Sequence, residues 1–171
     1  VKVILEKTTI DGYADISIGD RKGSTEPYIF NMDDYSKLNS TIQEGRLPQN
    51  EGEIIVGAHL GRILLNDIDM LAQEKKRKKK KKNGTWYNGE EEGFKGELVG
   101  QTIELQTFNY DGEQIADTRS YKIVGIKKAP SYEWATDTDI IFHQDYKANI
   151  EETYMQAQHT IYVDTAENVL P

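Results

Sequence analysis

The chain contains no cysteine in its 171 residues. That absence excludes a disulfide framework, thiol catalysis and a thiolate zinc site. Apolar runs are short, with "EIIVGA" and "RILLN" the best of them, far below the roughly 20 residues that span a bilayer. The opening "VKVILEKTT" has neither a starting methionine nor the basic and apolar regions of a secretory leader. It reads as a segment excised from something longer. No HExxH, GxSxG or GxxxxGK[ST] pattern occurs, so the zincin, hydrolase-elbow and P-loop chemistries have no foothold.

What the chain does have is an uneven charge. It carries 21 Lys and Arg against 29 Asp and Glu, for a formal charge of −8. Eight basic residues stand together at Lys75, Lys76, Arg77, Lys78, Lys79, Lys80, Lys81 and Lys82; without them the remainder holds 13 against 29, or −16. A nucleic-acid binder spreads basic residues over the surface that meets the phosphates, and an acidic remainder repels that partner. No nucleic acid is expected.

The length fits a single domain over 1–171, and the 37% hydrophobic content supplies a modest core. Ten tyrosines among sixteen aromatics favour half-buried strand surfaces. Residues 1–18 read as two strands around a turn at Asp11-Gly12. "GDRKGSTE" reads as a polar turn region and "PYIFNM" as a short strand. A helix is expected over 34–44, with Tyr35, Leu38 and Ile42 on one face, Asn31 or Asp33 at its cap and Gly45 as the left-handed residue after its end. "GEIIVGAHLGRILLND" reads as a strand leading into a short helix. Residues 72–97 form a variable polybasic loop, with turns at Asn83-Gly84 and Asn88-Gly89. "QTIELQTFNY" and "RSYKIVGIKKA" are strands flanking the Asp111-Gly112 turn, followed by the strand "DTDIIFHQDY", a helix near 145–156 and a last strand "HTIYVD". Asp164 and Glu167 announce a further helix in a capping-box spacing, read as a βα unit cut short. The expected fold is α+β: a strand-rich, mostly antiparallel sheet with two or three short helices and a long polybasic surface loop.

Candidate chemistry is sparse. His59, His143 and His159 are not at metal-ligand spacing, and His59 in "GAHLG" reads as a solvent-facing ring. The acidic pairs Asp33-Asp34, Asp137/Asp139 and Glu151-Glu152 sit where capping and solvation explain them; catalytic carboxylates need one buried and one polar environment. Asp137 and Asp139 lack the DxDxDG setting of a calcium loop. Asn83-Gly84-Thr85 fits the glycosylation pattern only by its letters. These residues argue against an enzyme, and neither cofactor nor metal is expected.

The basic run has a bland reading and a sharper one. A solvated loop, partly neutralised by Glu90, Glu91 and Glu92, needs no partner. Alternatively, the run meets an anionic surface, where each Lys or Arg contributes about 1 kcal/mol, and Trp86 and Tyr87 at the tip suit a lipid interface. A free-standing surface adhesion or polyanion-binding module is therefore one functional reading of the whole chain.

One order of elements goes further: "EGRLP", then "NEGEIIVGAHLGRIL", a variable loop, "LVGQTIELQTF", "RSYKIVGI", "DTDIIFHQDY" and "HTIYVDTAENV". In that order they resemble the extracytoplasmic domain of MacB/FtsX-type ABC-transporter permeases. The matching positions are Gly45, Arg46 and Pro48; residues 53–60; residues 100–105; and residues 121–126. The 75–92 insertion departs from the family pattern, and the first eighteen residues match it loosely. The resemblance implies a non-catalytic domain on the outer side of a cell membrane, part of a larger permease. Such a domain contacts substrate or partner proteins and relays ATP-driven motion, in export of peptides or lipoproteins or in control of an envelope process. The partners it implies are a cytoplasmic ATP-binding ATPase subunit reached through the rest of the permease, a second permease copy, and an extracellular accessory protein, peptide or anionic envelope polymer. The lack of cysteine and the abundance of lysine suit a Gram-positive bacterial source.

Overall fold

A computed structural model of the chain describes residues 2–19, 21–38, 42–57, 60, 98–128 and 138–163. The elements are β1 (Lys2–Ile10), β2 (Gly12–Ile18), β3 (Arg21–Phe30), α1 (Met32–Tyr35), β4 (Ile42–Gly45), β5 (Glu53–Gly57), β6 (Thr102–Asn109), β7 (Arg119–Lys127), β8 (Asp139–His143) and β9 (Met155–Val163). Two 3₁₀ segments, Gln144–Asn149 and Glu152–Tyr154, join β8 to β9.

Nine strands form one sheet in the order β2-β6-β7-β5-β8-β3-β1-β9, and an additional β2–β3 pairing closes six of them into a ring. The ring is β2-β6-β7-β5-β8-β3, a small barrel. Outside it, β1 and β9 run on from β3, while β4 attaches to β7. Seven of the nine pairings are antiparallel; β3–β8 and β5–β7 are parallel. The strand-rich, mostly antiparallel expectation holds, with closure into a barrel as the feature that strand spacing did not reveal. The polybasic loop lies outside the described residues.

Alternation along the ring strands fills the interior. Ala14 and Ile16, Ile103 and Leu105, Tyr121 and Ile123, Ile54 and Val56, Ile140 and Phe142, and Ile29 all belong to one buried cluster. A six-stranded barrel is narrow enough for such side chains to fill. A second cluster lies on the outer face of β5 and β8, where Ile55 and Ile141 meet Leu5, Phe30, Met32 and Tyr35. Strand β5 is thus buried on both faces, which is why "EIIVG" reads as a continuous apolar run rather than an alternating one.

Four expectations need correction. The helix over 34–44 is a single turn, Met32–Tyr35, and the same stretch ends as strand β4. Asn31 does cap it, its Oδ1 accepting the Asp34 N–H at 3.1 Å. But Ser36 Oγ donates back to the Asp33 carbonyl at 2.7 Å, and such local bonds compete with helix extension. Tyr35, Leu38 and Ile42 still share one apolar cluster, reached by a turn and a strand rather than by a helical face.

The helix near 145–156 is likewise replaced by the two 3₁₀ segments, because Ile150 and Met155 take extended backbone. Pairing of all nine β9 residues with β1, from Met155 against Ile10 onward, wins over local helix propensity. At Asp11-Gly12 the chain bends but does not reverse: β1 pairs with residues 28–30 of β3 and β2 with residues 21–25 of the same strand. "GDRKGSTE" supplies the first half of β3 rather than an extended turn.

Candidate functional site

The motif letters that single out this chain converge on one clasp beside β7. Gly45 ends β4 with φ +85°, and a Cβ there would stand 2.1 Å from the Val124 carbonyl oxygen. Only glycine combines that left-handed backbone with so close an approach. The next residue, Arg46, donates its backbone N–H to the same carbonyl at 2.9 Å. Gly125 completes the contact, since a Cβ on it would lie 2.6 Å from the Arg46 carbonyl oxygen. The β5–β7 ladder shifts register here, stepping over Val124 between Ile54 and Ile55, and the β4–β7 ladder shifts just before it, between Ile42 and Glu44.

From that fixed backbone the Arg46 guanidinium grips Glu53 at the start of β5, with Nη1–Oε1 at 2.9 Å and Nη2–Oε2 at 2.5 Å. Glu53 Oε1 also accepts the Gln49 N–H at 2.8 Å. The bidentate geometry matches fork to carboxylate. The hydrogen bonds from Arg46 hold the Glu53 carboxyl below its ordinary value, outweighing the opposing effect of burial. The "GR-P … NEGE" spacing therefore encodes a strap that pins the β4–β5 connection onto the barrel.

A second constellation plugs the barrel. Tyr146 from the first 3₁₀ segment stacks on Phe142 with centroids 3.8 Å apart and planes 8° apart, and Tyr121 meets both edge-on. The buried Tyr146 hydroxyl bonds Thr107 Oγ1 at 2.8 Å. Burial raises Tyr146 above its ordinary value and pushes Tyr121 up to about 12. Both phenols stay neutral at physiological pH and serve as packing with a satisfied polar end.

The third is the β1–β9 ribbon. Strand β1 pairs with β3 only at Lys7–Thr9, while its pairing with β9 continues to Lys2 against Val163. The described strands nearest the two chain ends thus leave the barrel side by side. Leu5 faces the second core, whereas Ile4 and Ile161, directly opposite each other, are each 57% exposed.

The residues singled out in the sequence distribute as follows. Lys75, Lys76, Arg77, Lys78, Lys79, Lys80, Lys81, Lys82, Trp86 and Tyr87 lie outside the described residues, as do His59 and Asp137. Asp139 holds Lys127 Nζ at 2.7 Å. Asp33 and Asp34 occupy the first turn of α1, with Asp34 3.2 Å from Lys37. His143 is buried, its Nδ1 accepting the Asp145 N–H at 3.1 Å, and His159 is 3.6 Å from Glu6. Among the described residues no group of three His, Cys, Asp or Glu is placed to hold a metal ion, and no helix is long and apolar enough to cross a membrane. The clasp and the ribbon were missed as units. The signal for the clasp was present in the Gly45-Arg46 and Glu53 letters, but their pairing needs the fold.

No family model matches the chain. Among curated proteins it is 28% identical over 180 residues to the ABC transporter permease YtrF of Bacillus subtilis (strain 168), an alignment that takes in 99% of this chain and 41% of that protein. This chain has an ABC transporter permease for a homologue. It spans about two fifths of that permease's length. Among solved structures, the extracellular domain of the noncanonical ABC-type transporter YknZ from Gram-positive bacteria superposes with a TM-score of 0.52 over 98% of this chain and 67% of that one, at 7% identity. At that identity the likeness is one of fold, and it extends over 98% of this chain. The permease resemblance read from the motif order agrees with the homologue.

Proposed function

We propose that this chain is the extracellular, non-catalytic domain of a MacB/FtsX-like ABC-transporter permease, and that it contacts substrate or partner proteins and relays ATP-driven motion across the membrane. The observation that carries the reading is the permease homologue, aligned over 99% of the chain. The ribbon supports it physically. A domain that takes up motion needs both of its connections to move together, and β1 and β9 leave the barrel paired residue by residue. The clasp and the aromatic plug keep the barrel rigid, so displacement at the ribbon is passed on rather than absorbed. The permease sits in the cell membrane with this domain outside, works with a cytoplasmic ATP-binding subunit, and serves export of peptides or lipoproteins or control of an envelope process.

A second reading is favoured by the basic run. Lys75–Lys82 with Trp86 and Tyr87 form a contact for anionic lipid headgroups or an envelope polymer, either within the permease or on a free-standing adhesion module. Affinity purification of the full-length product from membranes separates the two. A stoichiometric ATP-binding subunit in the eluate supports the permease; a product without one overturns it and makes polyanion binding the leading function.

A further inference from the structure

Among the described residues the sheet has two outer edges, and they are built in opposite ways. Strand β4 is an edge of four residues, carries Glu44, and its ladder breaks register between Ile42 and Glu44. Shortness, charge and a bulge are the usual devices that keep a sheet edge from recruiting another strand. Strand β9 has none of them. It runs nine residues, "MQAQHTIYV", in unbroken register with β1, and β1 is its only strand neighbour among the described residues. It contains no proline, and it alone of the nine strands contains no Asp, Glu, Lys or Arg. In a chain with 29% charged residues, the one neutral strand of the nine is the long edge strand of the described sheet. Gln156, Ala157, Gln158, His159 and Ile161 are exposed along it, and the exposed Ile4 lies directly across from Ile161.

We propose that β9 pairs antiparallel with β9 of a second copy of this chain, joining the two sheets across a two-fold axis. Such an interface sets each strand against itself, so a charged residue near its middle meets its own like charge. The neutrality of β9 removes that penalty. Paired about its middle residue, His159, the strand places Ile161 opposite Ala157 of the copy, large against small. A foreign extended peptide is the weaker fit. Strand addition gains its selectivity from side-chain pockets flanking the edge, and the side chains of residues 156–159 stand open to solvent.

The absence of cysteine makes the test clean. His159→Cys, which this register sets against its own copy, and Ala157→Cys with Ile161→Cys, which it sets against each other, are compared, in the 171-residue chain, with Glu113→Cys in the exposed β6–β7 loop as control, under mild oxidation. A disulfide requires Cα atoms roughly 4.4–6.8 Å apart, so only paired edges link efficiently. The expected result is at least about ten-fold more linked dimer for the β9 cysteines than for the control. Sedimentation equilibrium should also show a concentration-dependent dimer that Gln158→Lys with Ile161→Lys abolishes while the melting temperature is kept. A wild-type chain that stays monomeric across the concentration series, β9 cysteines that link no faster than the control, or a dimer that survives the double lysine variant overturns the proposal. A monomer leaves a foreign strand as the occupant. The proposal does not rest on the permease reading, and the isolated chain answers it whether or not an ATP-binding subunit is ever recovered.

Discussion

The barrel and the ribbon are made from the same kind of strand and differ in what happens at their edges. In the ring β2-β6-β7-β5-β8-β3 every strand has a neighbour on each side, so closure removes the edge problem. Its inward positions are almost entirely Ile, Leu, Val, Phe and Tyr. In the ribbon, β9 has one strand neighbour among the described residues, and the large side chains at Ile4 and Ile161 meet water. Local stability in a protein follows burial and the number of paired neighbours. The barrel is therefore the part that persists, and the ribbon is the part free to respond to something outside it.

The largest test of this contrast is a pair of truncations. Phe142 is fully buried between Tyr146 and Tyr121, and Phe142→Ala is expected to cost about 3–5 kcal/mol. Ile161→Ala in the ribbon is expected to cost less than about 0.5 kcal/mol, as for other exposed positions. Urea denaturation of both variants reads the difference directly. Equal losses would mean that the ribbon is part of the cooperative core.

Next in size is the clasp, where direction matters more than the pair itself. The Glu53 side chain is 10% exposed and Arg46 44%. Arg46→Ala strands a buried carboxylate, at an expected cost of about 2–3 kcal/mol. Glu53→Gln leaves an arginine that can turn to solvent and keeps an acceptor for the Gln49 N–H, so about 1 kcal/mol is expected. Denaturant midpoints that rank the two variants the other way would place the burial on the arginine side.

Much of this was legible in the letters. Alternation marked β6 and β7, and the double-faced burial of β5 showed as an unbroken apolar run. Tyr35, Leu38 and Ile42 were correctly grouped, but spacing of three and seven does not distinguish a helix from a turn followed by a strand. Barrel closure was illegible because it depends on β2 finding both β3 and β6, and β6 lies some ninety residues further along the chain. The clasp was half-legible: Gly45 was read as a left-handed residue, which its φ of +85° bears out, but as the end of a helix rather than of a strand. The neutrality of β9 was in plain view and acquired meaning only once β9 proved to be an edge.

A smaller effect follows from the clasp on acidification. Glu53 has its folded-state value lowered from the ordinary 4.5, first by the Arg46 hydrogen bonds. A lowered carboxyl contributes stability that is present above the ordinary value and lost as pH falls through the folded one. Wild type is therefore expected to lead Glu53→Gln at neutral pH by the full difference, and to lose that lead progressively as the pH drops below 4.5. Urea midpoints at stepped pH check this. A gap that stays constant down to acid unfolding would mean that the Glu53 charge contributes nothing and that the variant acts through shape alone.

The smallest expected effect concerns the basic run. Replacing Lys78, Lys79, Lys80, Lys81 and Lys82 with alanine takes the formal charge from −8 to −13. If the run is a solvated contact surface, the barrel loses no packing, and the only penalty is added self-repulsion of an acidic chain. That penalty is long-range and screened within about 10 Å at 0.1 M salt. The melting temperature is therefore expected to fall by no more than a degree or two at low ionic strength and to recover fully with added salt. Binding to vesicles containing anionic lipid should drop with the same substitutions, because each lysine near such a surface contributes about 1 kcal/mol. A fall of many degrees that salt does not restore would make the run a structural part of the barrel, and its charge a consequence of packing rather than of a partner.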